Sequence, residues 1–396
     1  MNIYHQTGHN YKWNIQSYTE DHAGDGLILS PMNISYTDLI KFPIVIKKNC
    51  LFDSQYYIPN DVRGKLSTYE FFPGNMVDEF KTTDFEYISN NMAKENLKFQ
   101  VDNKFKYLII PTRYFEYLSE NSYEQLKQYY INPFMEHMKT INSGKTVLLT
   151  VIVKQEQLMD ENKRSFLLNW ITGINGIGGI YIIFENKHTS KQIKDSNYLF
   201  NVMMFIHSLK MNELEVHIGY TNTEGILYSI ASPDSVSMGS YENVRNFNIN
   251  RFITPDKKSP QRGPTARLYS GKLFQWIEYG YIESIVSLYK DWEGIFENSK
   301  YNPLLFKEEY KWHFNKPELY KHYFLIYSKQ INSLPKSLKS RINWLRKSFE
   351  SAINIYDDIK DKGIYMDSDS DGSHLYHWLN TITMFENYLR STGYEL

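Results

Sequence analysis

Eight short, apolar, β-branched runs separated by longer polar or amphipathic stretches narrow what this chain can fold into more than any other feature. They are Asn2 to Gln6, Gly26 to Ser30, Asn49 to Asp53, Tyr107 to Thr112, Thr146 to Val153, Gly179 to Glu185, Glu215 to Tyr220 and Asp234 to Met238. Strands that alternate with crossover helices build parallel sheets. Eight such units predict an α/β fold of the (βα)8 TIM-like barrel type with a mainly helical C-terminal extension. Crossover helices are expected over Tyr123 to Met138, Glu161 to Ile171 and Tyr198 to Leu209. In the last two, Phe166, Leu167, Trp170 and Ile171, and then Val202, Phe205, Ile206 and Leu209, recur at helical spacing and mark the buried stripe. Asp195 and Ser196 suit a helix start, and Gly144 and Gly176 suit helix stops.

The chain has 396 residues, beyond the roughly 250 to 300 at which one core stops growing. A barrel over 1–249 and a second region over 250–396 are therefore expected. The polar stretch at about 56–106 is longer than one crossover needs. It reads as an insertion on the third βα connection, overhanging the face where such barrels act. The second region opens with the proline-bearing basic segment RFITPDKKSPQRGPTARLYSGK, after which helices and no strong strand are expected. Ser337 to Tyr356 and His374 to Leu389 are its clearest helices.

A formal net charge of -1 leaves no global field to draw the chain to nucleic acid or a membrane surface. Cys50 is the single cysteine, which excludes an intramolecular disulfide and a thiolate-rich zinc site. There is no apolar stretch near the roughly 18 residues of a membrane span, and the N-terminal segment lacks the charged-then-apolar order of a secretory signal. A soluble, cytoplasmic protein is expected, with no membrane partner, no metal and no cofactor.

Barrel sites lie at the C-terminal ends of the strands, so the candidates come from there. They include His5 and Gln6, Ser30 and Asn33, Asp53 and Gln55, Thr112 and Arg113, Lys154 and Gln155, Glu185 and Asn186, Tyr220 and Asn222, and Ser237 to Ser240. Asp53, ending the run CLFD, and Glu185, ending IYIIFE, are the candidate catalytic carboxylates; each has a turn, cap or loop role as its alternative. Gln55, Arg113, Asn186, Tyr220, Asn222, Ser237, Gly239 and Ser240 are candidate substrate-binding positions. Arg113 has a salt bridge as its alternative, and Gly239 with Ser240 would offer backbone N–H groups to a phosphate. His5 and His9 read as ligands or acid/base groups, or as simple hydrogen-bonded rim residues. The acidic run DSDSDGSHLYHW opens like a calcium loop, but Leu375 and Trp378 fill its ninth and twelfth positions. An acidic N-capping loop is the better expectation.

Two basic stretches offer local nucleic-acid contacts: Lys257, Lys258, Arg262, Arg267 and Lys272 after the barrel, and Lys336, Lys339, Arg341, Arg346 and Lys347 on a helix that also carries Trp344 and Phe349. A solvated helix face is the competing reading.

FDSQYY at Phe52 to Tyr57, and VHIGYTNTEGILYSIASPDSVSMGSYENVRN at Val216 to Asn246, resemble segments of the tRNA-guanine transglycosylase family and its DNA-modifying relatives. The first shares an Asp-Ser pair with the family's Asp-Ser-Gly-Gly-Phe-Gln. The second follows its order of strand, Gly, helix, strand and loop, and GIGGIYIIFE echoes its Gly-Glu segment up to Glu185. The resemblance implies a β/α barrel over about Asn2 to Asn246 and places Asp53 at the family's first catalytic Asp. Its nucleophilic Asp falls at Ser237, which cannot displace a base from ribose as a carboxylate does. The implied function is a transglycosylase-like barrel that binds a nucleobase or nucleic acid, in a modification or defence system, with altered or lost base exchange. Two alternatives stand beside it: a barrel enzyme acting on a phosphorylated small molecule, and a non-catalytic subunit docking a protein partner through its C-terminal helices.

Overall fold

In the computed structural model, residues 1–77, 84–141, 143–187, 191–255 and 263–394 are described. The first half of the barrel runs β1 (Asn2–Gln6), α1 (Tyr11–Glu20), β2 (Gly26–Leu29), α2 (Tyr36–Ile40), α3 (Ile44–Lys47), β3 (Cys50–Phe52), α4 (Phe85–Asp102), β4 (Leu108–Ile110), α5 (Glu120–Leu126) and α6 (Asn132–Met138). The second half follows as β5 (Val147–Lys154), α7 (Gln155–Met159), α8 (Glu161–Thr172), β6 (Gly179–Glu185), α9 (Ser196–Met211), β7 (Glu215–Gly219), α10 (Gly225–Tyr228) and β8 (Ser235–Gly239). Beyond it lie β9 (Arg267–Ser270), β10 (Gln275–Glu278), α11 (Tyr279–Leu288), α12 (Trp292–Ile295), α13 (Asn302–Leu305), α14 (Pro317–Asn332), α15 (Leu338–Asp361) and α16 (His374–Ser391).

All eight expected strands form. They pair in parallel in the order β3-β2-β1-β8-β7-β6-β5-β4, a nearly closed TIM-like barrel. β6 is buried along its whole length, as expected of a parallel strand covered on both faces. The ladder is interrupted only between β3 and β4, where the Lys106 N–H still donates to the Cys50 carbonyl at 3.0 Å. At that seam Gln100 of α4 stands in for a strand. Its Oε1 accepts the Ile109 N–H at 2.8 Å and its Nε2 donates to the Ile109 carbonyl at 2.9 Å, so both backbone groups of Ile109 at the edge of β4 are paired.

The stretch at about 56–106 contains the third crossover itself, α4, preceded by a loop folded inward; Tyr56 and Tyr57 are buried. The helix expected over Tyr123 to Met138 is divided into α5 and α6 by a π-helical turn at Lys127–Ile131. Pro133 has no N–H to give the carbonyl four residues back, and the wider turn absorbs the mismatch.

The extension is mainly helical, and α14 carries a long buried face, including Tyr320, Tyr323, Phe324 and Tyr327. It departs from expectation in that β9 and β10 form an antiparallel hairpin where no strong strand was expected. These elements share one continuous apolar core with the barrel. His5 faces α14, packing edge-on against Phe324 at 4.6 Å, so it is a core residue and neither a ligand nor a rim residue. Trp378 of α16 donates to the Ile193 carbonyl at 3.1 Å. Before α16, Asp371 accepts from the N–H of Ser373, but Ser373 is the cap residue and its side chain makes no capping bond. Among the described residues no group of three or more His, Cys, Asp or Glu side chains is placed to hold a metal, and no helix is long and apolar enough to cross a membrane.

Candidate functional site

Asp53 leaves the end of β3 and turns inward over the barrel, only 2% exposed. Its Oδ1 accepts the Gln55 N–H at 3.1 Å, an Asx turn of the kind short carboxylates favour. The turn reading and the site reading thus hold together, because the carboxylate also collects three phenols. Tyr57 donates at 2.8 Å, placed evenly between the two oxygens, while Tyr220 and Tyr181 approach Oδ2 at 3.3 and 3.4 Å. Burial pushes the Asp53 carboxyl up to about 6, against the pull of these hydrogen bonds toward the ionised form. Burial also raises all three tyrosines well above their ordinary value, so they remain donors at neutral pH.

Local backbone strain accompanies the cage. Gln55 (φ 55°) and Tyr220 (φ 56°) both adopt the left-handed conformation that side-chain-bearing residues avoid, a feature that concentrates at functional sites. Gln55 is fully engaged: its Oε1 accepts from Ser30 and the Met32 N–H, and its Nε2 donates to the Tyr220 hydroxyl at 3.0 Å. Tyr181 needs room made by Gly219, where a Cβ would lie 2.3 Å from its hydroxyl. Gln6 completes the floor. Its Oε1 lies 3.4 Å from the Tyr181 hydroxyl, while its buried Nε2 has no hydrogen-bond partner among the described residues.

Above the cage sits an aromatic plug. Phe247 packs on Tyr57 at 5.3 Å, Tyr220 at 5.5 Å and Tyr114 at 6.5 Å, and Phe252 covers Tyr57 at 4.8 Å. The plug is tied down on two sides. A backbone bridge joins Phe247 to Glu185, and Arg63 donates to the carbonyls of Asn250, Arg251 and Ile253. Glu185, 8% exposed, lies across Phe247 from Asp53; its Oε1 accepts from Tyr114 at 2.8 Å and its Oε2 has no partner among the described residues.

The other sequence candidates are distributed unevenly. Ser237 lies beneath the mouth, fully buried, where its Oγ accepts the Thr221 N–H at 3.0 Å and ties β8 to the exit of β7. Gly239 is pressed against Val244, whose carbonyl oxygen would sit 2.7 Å from a Cβ, so its backbone faces protein. The Ser240 hydroxyl is buried with no partner among the described residues. Arg113 turns away to lie over Phe115 and Phe85, and it forms no salt bridge among the described residues. Asn186 bonds Asn246 at 3.2 Å, and Asn222 donates to the Lys191 carbonyl at 2.9 Å. Lys154 donates to the Glu116 carbonyl and stands 4.4 Å over the Tyr114 ring. His9 is exposed.

Several basic residues are used in holding the extension. Arg267 pairs with Glu278, Arg346 pairs with Glu386, and Arg341 bonds the Pro335, Lys336 and Ser229 carbonyls. Lys272 shares an open groove with Lys347, Lys329 and Trp344, and Lys339 lies on α15. Lys257, Lys258 and Arg262 lie outside the described residues.

Sequence reasoning missed Tyr57, Tyr181, Phe247 and Phe252. Tyr181 carried a signal, since it lies on the same face of β6 as Glu185 at the strand's two-residue period. The plug residues had none, because their position depends on how the segment after β8 folds back. Comparison of the chain with protein-family models, with curated proteins and with solved structures finds no match in any of the three.

Proposed function

We propose that the mouth of the barrel binds a nucleobase or nucleoside, with Asp53 as the proton-exchanging acceptor on its polar edge. One observation carries this reading: a buried carboxylate raised to about 6 and an amide donor, Gln6 Nε2, with no partner among the described residues stand in one cage. An acceptor beside a donor complements the N–H and C=O of a lactam edge, as purines and pyrimidines present. The contacts of Tyr181 and Tyr220 to Asp53 are the long ones and would yield to a ligand N–H. Phe247, boxed by three tyrosines, holds the place where a planar ring would stack; binding therefore requires the plug to swing out.

The chemistry that fits is acid–base chemistry at Asp53, with Glu185 as a second carboxylate at the rim. A covalent base exchange of the transglycosylase kind lacks its nucleophile, because Ser237 is spent on Thr221.

The test is isothermal titration of purine and pyrimidine bases into the native protein, Phe247→Ala and Asp53→Asn. Opening the box should tighten binding at least tenfold, about 1.4 kcal/mol, and removing the carboxylate should weaken it by as much. Absence of binding to both the native protein and Phe247→Ala would end this reading.

A further inference from the structure

Arg245 follows the short helical turn after β8 and is 7% exposed. Its guanidinium lies 4.0 Å from the Trp276 ring of β10 and 5.8 Å from the Tyr323 ring of α14, and those rings are themselves 4.6 Å apart. Neither Nε nor Nη1 of Arg245 has a hydrogen-bond partner among the described residues, and the same holds for Trp276 Nε1 and the Tyr323 hydroxyl.

Two carboxylates, Glu242 and Glu224, act on Arg245 electrostatically, but neither hydrogen-bonds its guanidinium among the described residues. Glu242 pairs with Lys191 at 2.7 Å, and Glu224 accepts the Asn222 N–H at 2.9 Å. Buried polar groups in native proteins are almost always satisfied, and an unpaired buried cation is far more costly than an unpaired hydroxyl. A tetrahedral oxyanion accepts several hydrogen bonds and carries the compensating negative charge that a water lacks.

We infer that Arg245, Trp276 and Tyr323 form an anion site for inorganic phosphate or the phosphoryl group of a small molecule, completed by the C-terminal extension. The site lies outside the Asp53 cage and does not depend on the nucleobase reading. It gives β10 and α14 a role beyond covering the barrel, because two of its three residues come from them.

Thermal unfolding of the full chain, with phosphate replacing chloride at constant ionic strength and pH, tests this. Saturating phosphate should raise Tm by about 3 °C, and Arg245→Met should fold and show no rise. No rise in the native protein, or an equal rise in Arg245→Met, overturns the inference. If Arg245→Met does not fold, Arg245→Lys carries the test: it keeps the charge without the fork, so apparent phosphate affinity should drop at least tenfold, and unchanged affinity overturns the proposal. Ribose 5-phosphate as a second titrant separates the sources, tighter binding than inorganic phosphate assigning the site to a phosphorylated ligand and equal binding to the free ion.

Discussion

Replacing Asp53 by Asn should make the protein more stable at alkaline pH while weakening its proposed site. The fold raises the Asp53 carboxyl from 3.8 to about 6, so the folded state holds this proton more tightly than the unfolded chain. The sign follows directly. The stabilisation from the neutral acid is complete below about pH 3.8 and is lost as pH rises through about 6. Two pH units at 1.36 kcal/mol each come to about 3 kcal/mol, the cost of keeping Asp53 ionised at pH 8. Asn mimics the neutral acid: its carbonyl can still accept from the Gln55 N–H and Tyr57, and its amide can donate to a phenol oxygen. Urea denaturation of both proteins from pH 4 to 8 measures the difference. Asp53→Asn should be nearly equal in stability at pH 4 and up to about 3 kcal/mol more stable at pH 8. Glu224 and Glu297, both raised to about 7 by burial, titrate in both proteins and cancel. A variant that is less stable at pH 8, or a difference that does not change with pH, would refute the reasoning.

Three further outcomes are expected. Gly219→Ala should displace the Tyr181 hydroxyl from Asp53 and cost about 1–3 kcal/mol by overpacking, visible as a lower urea midpoint. Gln100→Leu should leave the Ile109 N–H and carbonyl unsatisfied and cost about 2–4 kcal/mol, with amide exchange rising first at Ile109. Ser237→Ala should lower stability by about 1–2 kcal/mol yet leave nucleobase affinity within a factor of about two, measured by titration; a tenfold loss would return Ser237 to the site.

The barrel was legible because each strand is a self-contained signal: CLF, LII and GIYIIFE are apolar for the local reason that both faces of a parallel strand are buried. β9 and β10 were not, although the pieces were present. RLYS and QWIE flank a turn at Gly271, yet each strand is four residues long and begins or ends on a charge, so the segment read as basic linker. Asp53, Gln55 and Tyr220 were found by their position at strand ends. The remaining phenols were not, because in a chain with 33 tyrosines an aromatic residue advertises core before site. Arg245 fell inside the stretch that resembles the transglycosylases, but its isolation becomes visible only when Trp276 and Tyr323 arrive from the distant hairpin and helix.

The seam between β3 and β4 makes the barrel a split ring and not a hoop. A hoop widens only by breaking a ladder. Here the gap is bridged by one backbone bond and the amide of Gln100, a side chain that can let go and re-form its bonds without loss of register. Asp53 is mounted on one lip of that split, one residue beyond β3, and the helix that spans the gap reaches the same loop through Asn96, which donates to Ser54 and Tyr56. Any dilation of the ring would therefore shift the carboxylate relative to Tyr181 and Tyr220, which are carried by β6 and by the exit of β7, independently of the plug above it.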